Sequence, residues 1–168
     1  MDDLEIIRMV MDQHRVLAQQ IDSASATMSD KDAVLRLERA QRDLTTNLRR
    51  PLMERRAHLI EALDMIAKGL ESHYSFEERT LPPLLGELLM NALTMEHKDL
   101  TGQMRDVISA VGRIDLKKLD HDGEISRESE MSLLLGKLRD KKLDHQKREE
   151  AILLTLQRIY EEKADRSA

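Results

Sequence analysis

HYSFEE, residues 73–78, has an echo near the other end of the chain in HQKREE, residues 145–150. In both, a histidine is followed four places later by a glutamate, with a second glutamate directly behind it. On an α-helix, positions i and i+4 lie on one face, a single turn apart. Each frame therefore sets an imidazole beside a carboxylate, and the chain does this twice. One such match is weak: with glutamate at roughly one residue in ten, six histidines meet it by chance about every other time. The reading is decided by where the two frames fall.

They fall on apolar stripes. The first follows Leu59, Leu63, Ile66 and Leu70, and its helix stops before Pro82-Pro83. The second follows Met131, Leu134 and Leu138 and is continued by Ile152, Leu156 and Ile159. Two further segments carry a lone histidine at the same three-and-four spacing. One reads Leu4, Ile7, Met11, His14, Leu17 and Ile21; the other reads Met90, Leu93, His97, Leu100, Met104, Val107 and Val111. This periodicity predicts amphipathic helices. With six glycines and three prolines, long helices are expected and an all-β fold is not. The fold class read from the pattern is all-α, an up-down-up-down four-helix bundle. Its breaks are SASATMSD (residues 23–30), where Ser29 or Asp30 can cap the next helix, the proline pair, and the polar DLKKLDHDGEIS with Asp122-Gly123 as its turn.

One segment resists this arrangement. At roughly 1.5 Å per residue, His14 lies about 20 Å from residue 27, but residue 31 would lie about 63 Å from His73 if one helix ran throughout. Pro51 must interrupt that run. The segment at about 31–49 is therefore read as an extra or extended helix outside the four-helix core. Residues 28–50 become an insertion or helical extension in a single domain spanning 1–168, and the candidate surface for a homo-oligomer or a protein partner.

His14, His73, Glu77, His97, His145 and Glu149 stand where leucine or isoleucine would continue the stripes. An inward polar or charged group without a partner costs on the order of several kcal/mol. A polar network or a pH-sensitive histidine cluster is the bland alternative, but nothing else in the sequence neutralises two inward carboxylates. Imidazole and carboxylate together suit iron, manganese and zinc. In chain order, a lone histidine precedes an HxxxE frame twice. Four terminal imidazoles and two bridging carboxylates are a balanced set for two ions. His14 and His73 are assigned to one metal and His97 and His145 to the other, with Glu77 and Glu149 bridging.

This arrangement resembles the hemerythrin-like, or HHE cation-binding, domain family, a four-helix bundle around a non-haem di-iron centre. The context is similar too: HYSFEERTLPPLL has the histidine, the acidic run and the prolines at the helix end, and EHKDL carries the third-helix histidine. The resemblance covers residues 2–27 and about 51–163. It implies two Fe ions as cofactor, with zinc or manganese as alternatives, held by His14, His73, Glu77, His97, His145 and Glu149. One position departs. Oxygen-carrying members have a second histidine four residues after the third-helix one, and here that residue is Thr101. The implied centre is a more open four-His, two-Glu version, unless a carboxylate such as Glu96 takes the vacant role. Oxygen storage of the blood-pigment type is not expected. The iron–sulfur repair members resemble a two-part chain with a cysteine-bearing segment, and this chain has no cysteine.

A net charge of −5 and a pI near 5.7 leave no footprint for nucleic acid or anionic lipid. No apolar run approaches the roughly 20 residues of a membrane span, and the acidic start MDDLEIIRMV argues against a signal peptide. The expected location is cytoplasmic. His58 reads as a surface residue and His121 as a turn residue. Glu78 and Glu150 read as supporting or solvated groups that could each replace the glutamate before them as the bridge. Tyr74 is expected to turn off the metal face and pack, with a hydrogen-bond donor role behind the ligands as the alternative, and the pocket lining is read as Leu, Ile and Met without donors. The function read from this is a di-iron protein that binds O2, NO or peroxide, or handles iron. The alternatives are a di-iron oxidase, peroxidase or NO-scavenging enzyme, and a structural bundle with a non-redox metal. No catalytic residue is assigned beyond the ligands.

Overall fold

The computed structural model describes residues 5–8 and 28–167. His14 and most of the first expected helix lie outside the described residues. Among those described, four long helices follow one another: α1 (Asp30–Thr46), α2 (Leu52–Thr80), α3 (Pro82–Arg113) and α4 (His121–Ser167). Residues 5–8 are also helical. The protein is an all-α helical bundle.

Each boundary has a local cause. Ser29 caps α1, its hydroxyl accepting from the Asp32 N–H at 3.2 Å. Pro51 precedes α2, and Pro82 and Pro83 occupy the first positions of α3, where a missing N–H leaves no donor unpaired. Within the first turns of α3, Gly86 takes φ 71°, a left-handed angle open to glycine, and breaks the helix there. The expected turn at Asp122-Gly123 is instead the first turn of α4. The Asp120 carboxylate accepts from the Gly123 N–H at 2.8 Å and caps the helix, so His121 starts it rather than sitting in a loop.

Helix α1 packs against α2 and α4, and α3 packs against the same two helices. At one end, Arg55 at the start of α2 donates to the Leu44 carbonyl near the end of α1 and pairs with Glu128 early in α4 at 2.6 Å. Arg56 donates to the Ile114 carbonyl just past α3 at 2.5 Å. The start of α1 lies instead beside His73 and His145. Consecutive helices therefore run in opposite directions.

The helix expected near 31–49 is present, but it is not outside the core. Ala33, Val34, Leu37, Ala40 and Leu44 are buried, and most of them join the same cluster as Leu59, Leu63 and Leu135. The length mismatch disappears because α1 begins level with His73. It then rises about 24 Å along its axis, and α2 returns about 32 Å from Leu52 to His73.

Two apolar clusters fill the bundle. The larger contains Leu70 of α2, Leu100 of α3 and Leu138 of α4; the smaller contains Leu81 between α2 and α3, Leu93 of α3 and Leu153 of α4, with Ile7. Between Leu70 and Leu81, Leu93 and Leu100, and Leu138 and Leu153 lies a polar layer, and this layer holds the candidate site.

The chain enters α1 flat against α2. The Met28 N–H donates to the Gly69 carbonyl at 3.3 Å, and a Cβ on Gly69 would stand 2.5 Å from the Met28 Cβ. Gly69→Ala must therefore displace Met28, and with it Asp30 two residues on. The expected cost is about 1–3 kcal/mol, or a melting temperature lower by roughly 2–12 °C. An unchanged thermal melt would show that this crossing does not hold α1 in place.

Candidate metal centre

The layer is built by three helices and the start of a fourth. His73 is 1 % exposed, Glu77 0 %, His97 2 %, His145 1 % and Glu149 3 %. All five described residues of the predicted set therefore point inward, and they converge. The two oxygens of Glu77 reach the His73 Nε2 at 2.8 Å and the His97 Nε2 at 3.5 Å. Glu149 Oε2 lies 3.8 Å from the His145 Nε2. The His97 and His145 rings meet edge to face with centroids 5.2 Å apart.

The outer edges of two histidines are held by carboxylates. His145 Nδ1 donates to Glu96 at 2.8 Å, and Arg148 steadies Glu96 at 3.1 Å. His97 Nδ1 donates to Glu78 at 3.0 Å. A carboxylate can only accept, so each Nδ1 carries the proton and the neutral ring turns its Nε2 lone pair inward. Burial pushes the pKa of both rings down, with Glu77 opposing at His97 and Asp30 at His145, which keeps them neutral. Glu96 and Glu78 thus take the supporting role, and Glu96 does not enter the layer in place of the missing third-helix histidine. Glu150 instead accepts from Gln146 at 3.2 Å, so the inward glutamate of each frame is the one at i+4.

Three residues join the layer that the periodicity did not place there. Asp30, fully buried at the start of α1, sets Oδ2 at 3.4 Å from the His145 Nε2 and Oδ1 at 3.9 Å from the His73 Nε2. With His73 and Glu149 it forms a group compact enough to hold an ion. Lys142 is buried and donates to both Asp30 and the Tyr74 hydroxyl. Tyr74 does not turn away: it is buried and stacks on His97 with centroids 3.9 Å apart and planes 11° apart. Position 74 faces α3, and in a bundle that side is interior as well. The expected aliphatic lining without donors is therefore corrected by Lys142 and Tyr74. Lys142 was legible, four residues after Leu138 and three before His145 on the same stripe. Asp30 was not, because a buried aspartate and a capping aspartate look alike in sequence.

The electrostatics show a site short of positive charge. Burial alone would raise the Asp30 carboxyl, but Lys142, then His73 and His145, outweigh it and hold the pKa down. At Glu149 the balance goes the other way: burial, followed by the charges of Glu77 and Asp30, outweighs the opposing Lys142 and pushes it well above the carboxylate range. Burial would lower His73, but its hydrogen bond and ion pair with Glu77 raise it. Among the described residues, no hydrogen bond reaches Asp30 Oδ2, His97 Nε2 or His145 Nε2. Inward lone pairs facing inward carboxylates lack the electrophile that would satisfy both. A metal cation fits that deficit.

Between α3 and α4 a cavity of about 90 Å³ is bordered by Leu81, Leu89, Leu93 and Leu153 and ends on His145 and Glu149. A wider cleft on the other side of α3 runs past Thr101 to Tyr74 and His97. His58 is exposed, as expected. None of the described helices is long and apolar enough to cross a membrane.

The fold and this layer define a helical bundle with a buried histidine–carboxylate layer whose donors could hold a cation. The chain belongs to the hemerythrin HHE cation binding domain family, whose match spans residues 5–156, nearly the whole length. No curated protein and no solved structure gives a significant match. Membership accords with a metal-binding helical bundle, iron being the typical metal, in a family that binds small ligands such as O2.

Proposed function

We propose that the polar layer holds two non-haem iron ions and binds a small ligand, O2, NO or peroxide. The reading rests on one observation above the others. His97 and His145 are neutral, fixed by outer carboxylates, and aim unsatisfied Nε2 atoms at buried carboxylates. A hydrogen bond from each metal-bound histidine to an outer carboxylate is the usual companion of ligation.

The residues that would hold the ions are His73, His97, His145 and His14 as terminal donors, with Glu77 and Glu149 between the ions. Glu77 already spans two imidazoles. Asp30 adds a carboxylate on the side of His73 and His145, which compensates in donor number for Thr101. Ferrous ions in this setting would supply open coordination positions and electrons for a diatomic ligand. The chain's own part is to exclude water and limit size. The cavity leading to His145 admits only a few atoms, and its walls are mostly leucines, with Glu96 and Arg148 also on its lining.

The test is the metal content of the full chain purified without chelator, with its visible and near-ultraviolet spectrum in air. About two irons per chain and a spectrum altered by NO or peroxide are expected for a di-iron site of this donor type. A single zinc, or no metal, would sink the reading and favour a structural bundle. Turnover of peroxide or NO, rather than ligand-dependent spectra alone, would assign the same centre to an enzyme.

A further inference from the structure

Lys142 is the one fully buried lysine among the described residues, and it lies inside the layer rather than at its rim. Its ammonium has three donors. Asp30 and the Tyr74 hydroxyl accept two of them, and the third meets no acceptor among the described residues. Asp30, in turn, holds its other oxygen 3.4 Å from the His145 Nε2. The cation is thus one carboxylate away from the atoms that face the proposed ions. Because Tyr74 accepts from Lys142, its own hydroxyl proton is left for an acceptor in the layer.

We propose that Lys142 makes this centre selective for anionic small ligands over neutral ones. The inference rests on the di-iron reading above. A ligand arriving through the cavity between α3 and α4, mostly apolar with the Glu96–Arg148 pair on its lining, leaves most of its water behind. For a neutral molecule such as NO that transfer costs little. An anion loses its hydration, and it is stabilised in a low-dielectric site only by fixed positive charge. The ions would bind both kinds of ligand, and their charge already favours the anion; the ammonium adds to that preference without strengthening the binding of a neutral ligand. The third donor of Lys142 and the hydroxyl proton of Tyr74 are left for an acceptor that enters the layer.

The alternative is that Lys142 only neutralises Asp30. Two variants separate the possibilities. Lys142→Gln keeps a donor for Asp30 and Tyr74 but removes the charge, and Lys142→Met removes both. Wild type and variants are loaded with iron and assayed for iron content. The ferric forms are then titrated with azide and the ferrous forms with NO, each followed by its absorption. The azide dissociation constant is expected to rise about tenfold or more in both variants, with the NO constant changed by no more than roughly twofold. Equal weakening of azide and NO, or no change in either, would overturn the proposal. Loss of iron from both variants would also overturn it, assigning Lys142 to holding the centre together. Failure of the wild type itself to hold iron would show before any ligand is added, and would mark failure of the underlying reading instead.

Discussion

Glu77→Gln is expected to lower iron affinity by at least about a hundredfold, beyond the 10- to 100-fold typical of losing an outer hydrogen-bonding partner. Glu77 is fully buried and its two oxygens already contact two imidazoles from different helices. An amide keeps the shape and one acceptor, but neither the charge nor the second oxygen. The same measurement on Glu96→Ala calibrates the effect. Glu96 is partly exposed and touches only the outer edge of His145, so its removal should cost about tenfold. Metal content by mass spectrometry and competition against a chelator of known affinity give both numbers. If Glu77→Gln retains wild-type affinity while Glu96→Ala loses it, Glu77 is not between the ions and the proposed ligand arrangement is wrong.

The second large effect is on stability. With metal at about a thousand times its dissociation constant, binding adds roughly 4 kcal/mol, so stripping the ions should lower the melting temperature by roughly 8–16 °C. The stripped protein should also gain a pH dependence that the loaded protein lacks. Glu149 and His73 both have folded-state pKa values raised above those of the unfolded chain, through burial at Glu149 and through the bond to Glu77 at His73. The folded state then holds more protons than the unfolded state, and stability falls as pH rises. His97 and His145 are shifted down, so from about a unit above the unfolded value of 6.5 they are neutral in both states and add no slope. Across a window starting at about pH 7.5 the stripped protein should lose stability as pH rises, and the loaded protein should not, because ions replace those protons. A stripped protein whose melting temperature stays level or rises across that window would contradict the charge arrangement of the layer.

Much of this was legible from one-dimensional pattern. A helix repeats every 3.6 residues, so a histidine on a leucine stripe is inside if the leucines are. That reasoning placed His73, Glu77, His97, His145 and Glu149 at the interior, and all five are there. It favoured Glu77 and Glu149 but left Glu78 and Glu150 open as replacements, and the structure turns the i+4 glutamate of each frame inward. The same rule applied one step further would have caught Lys142. Tyr74 was misplaced because a stripe describes one contact face, and a helix in the middle of a bundle has two.

The place of α1 shows the limit of the pattern. Its own apolar spacing predicted a helix near 31–49, yet nothing local says at which height along the bundle a helix starts. Measured as an antiparallel partner, it was too long for the core; starting level with His73, it fits. By itself the sequence determined the helices, their buried stripes and the paired histidine–glutamate frames, because these depend on neighbours within a turn or two. Tertiary structure alone decided that α1 joins the core, that Asp30 and Lys142 meet across 112 positions of chain, and that Tyr74 stacks on His97. Those contacts are set by how rigid helices pack in space, and no periodicity within one helix encodes that.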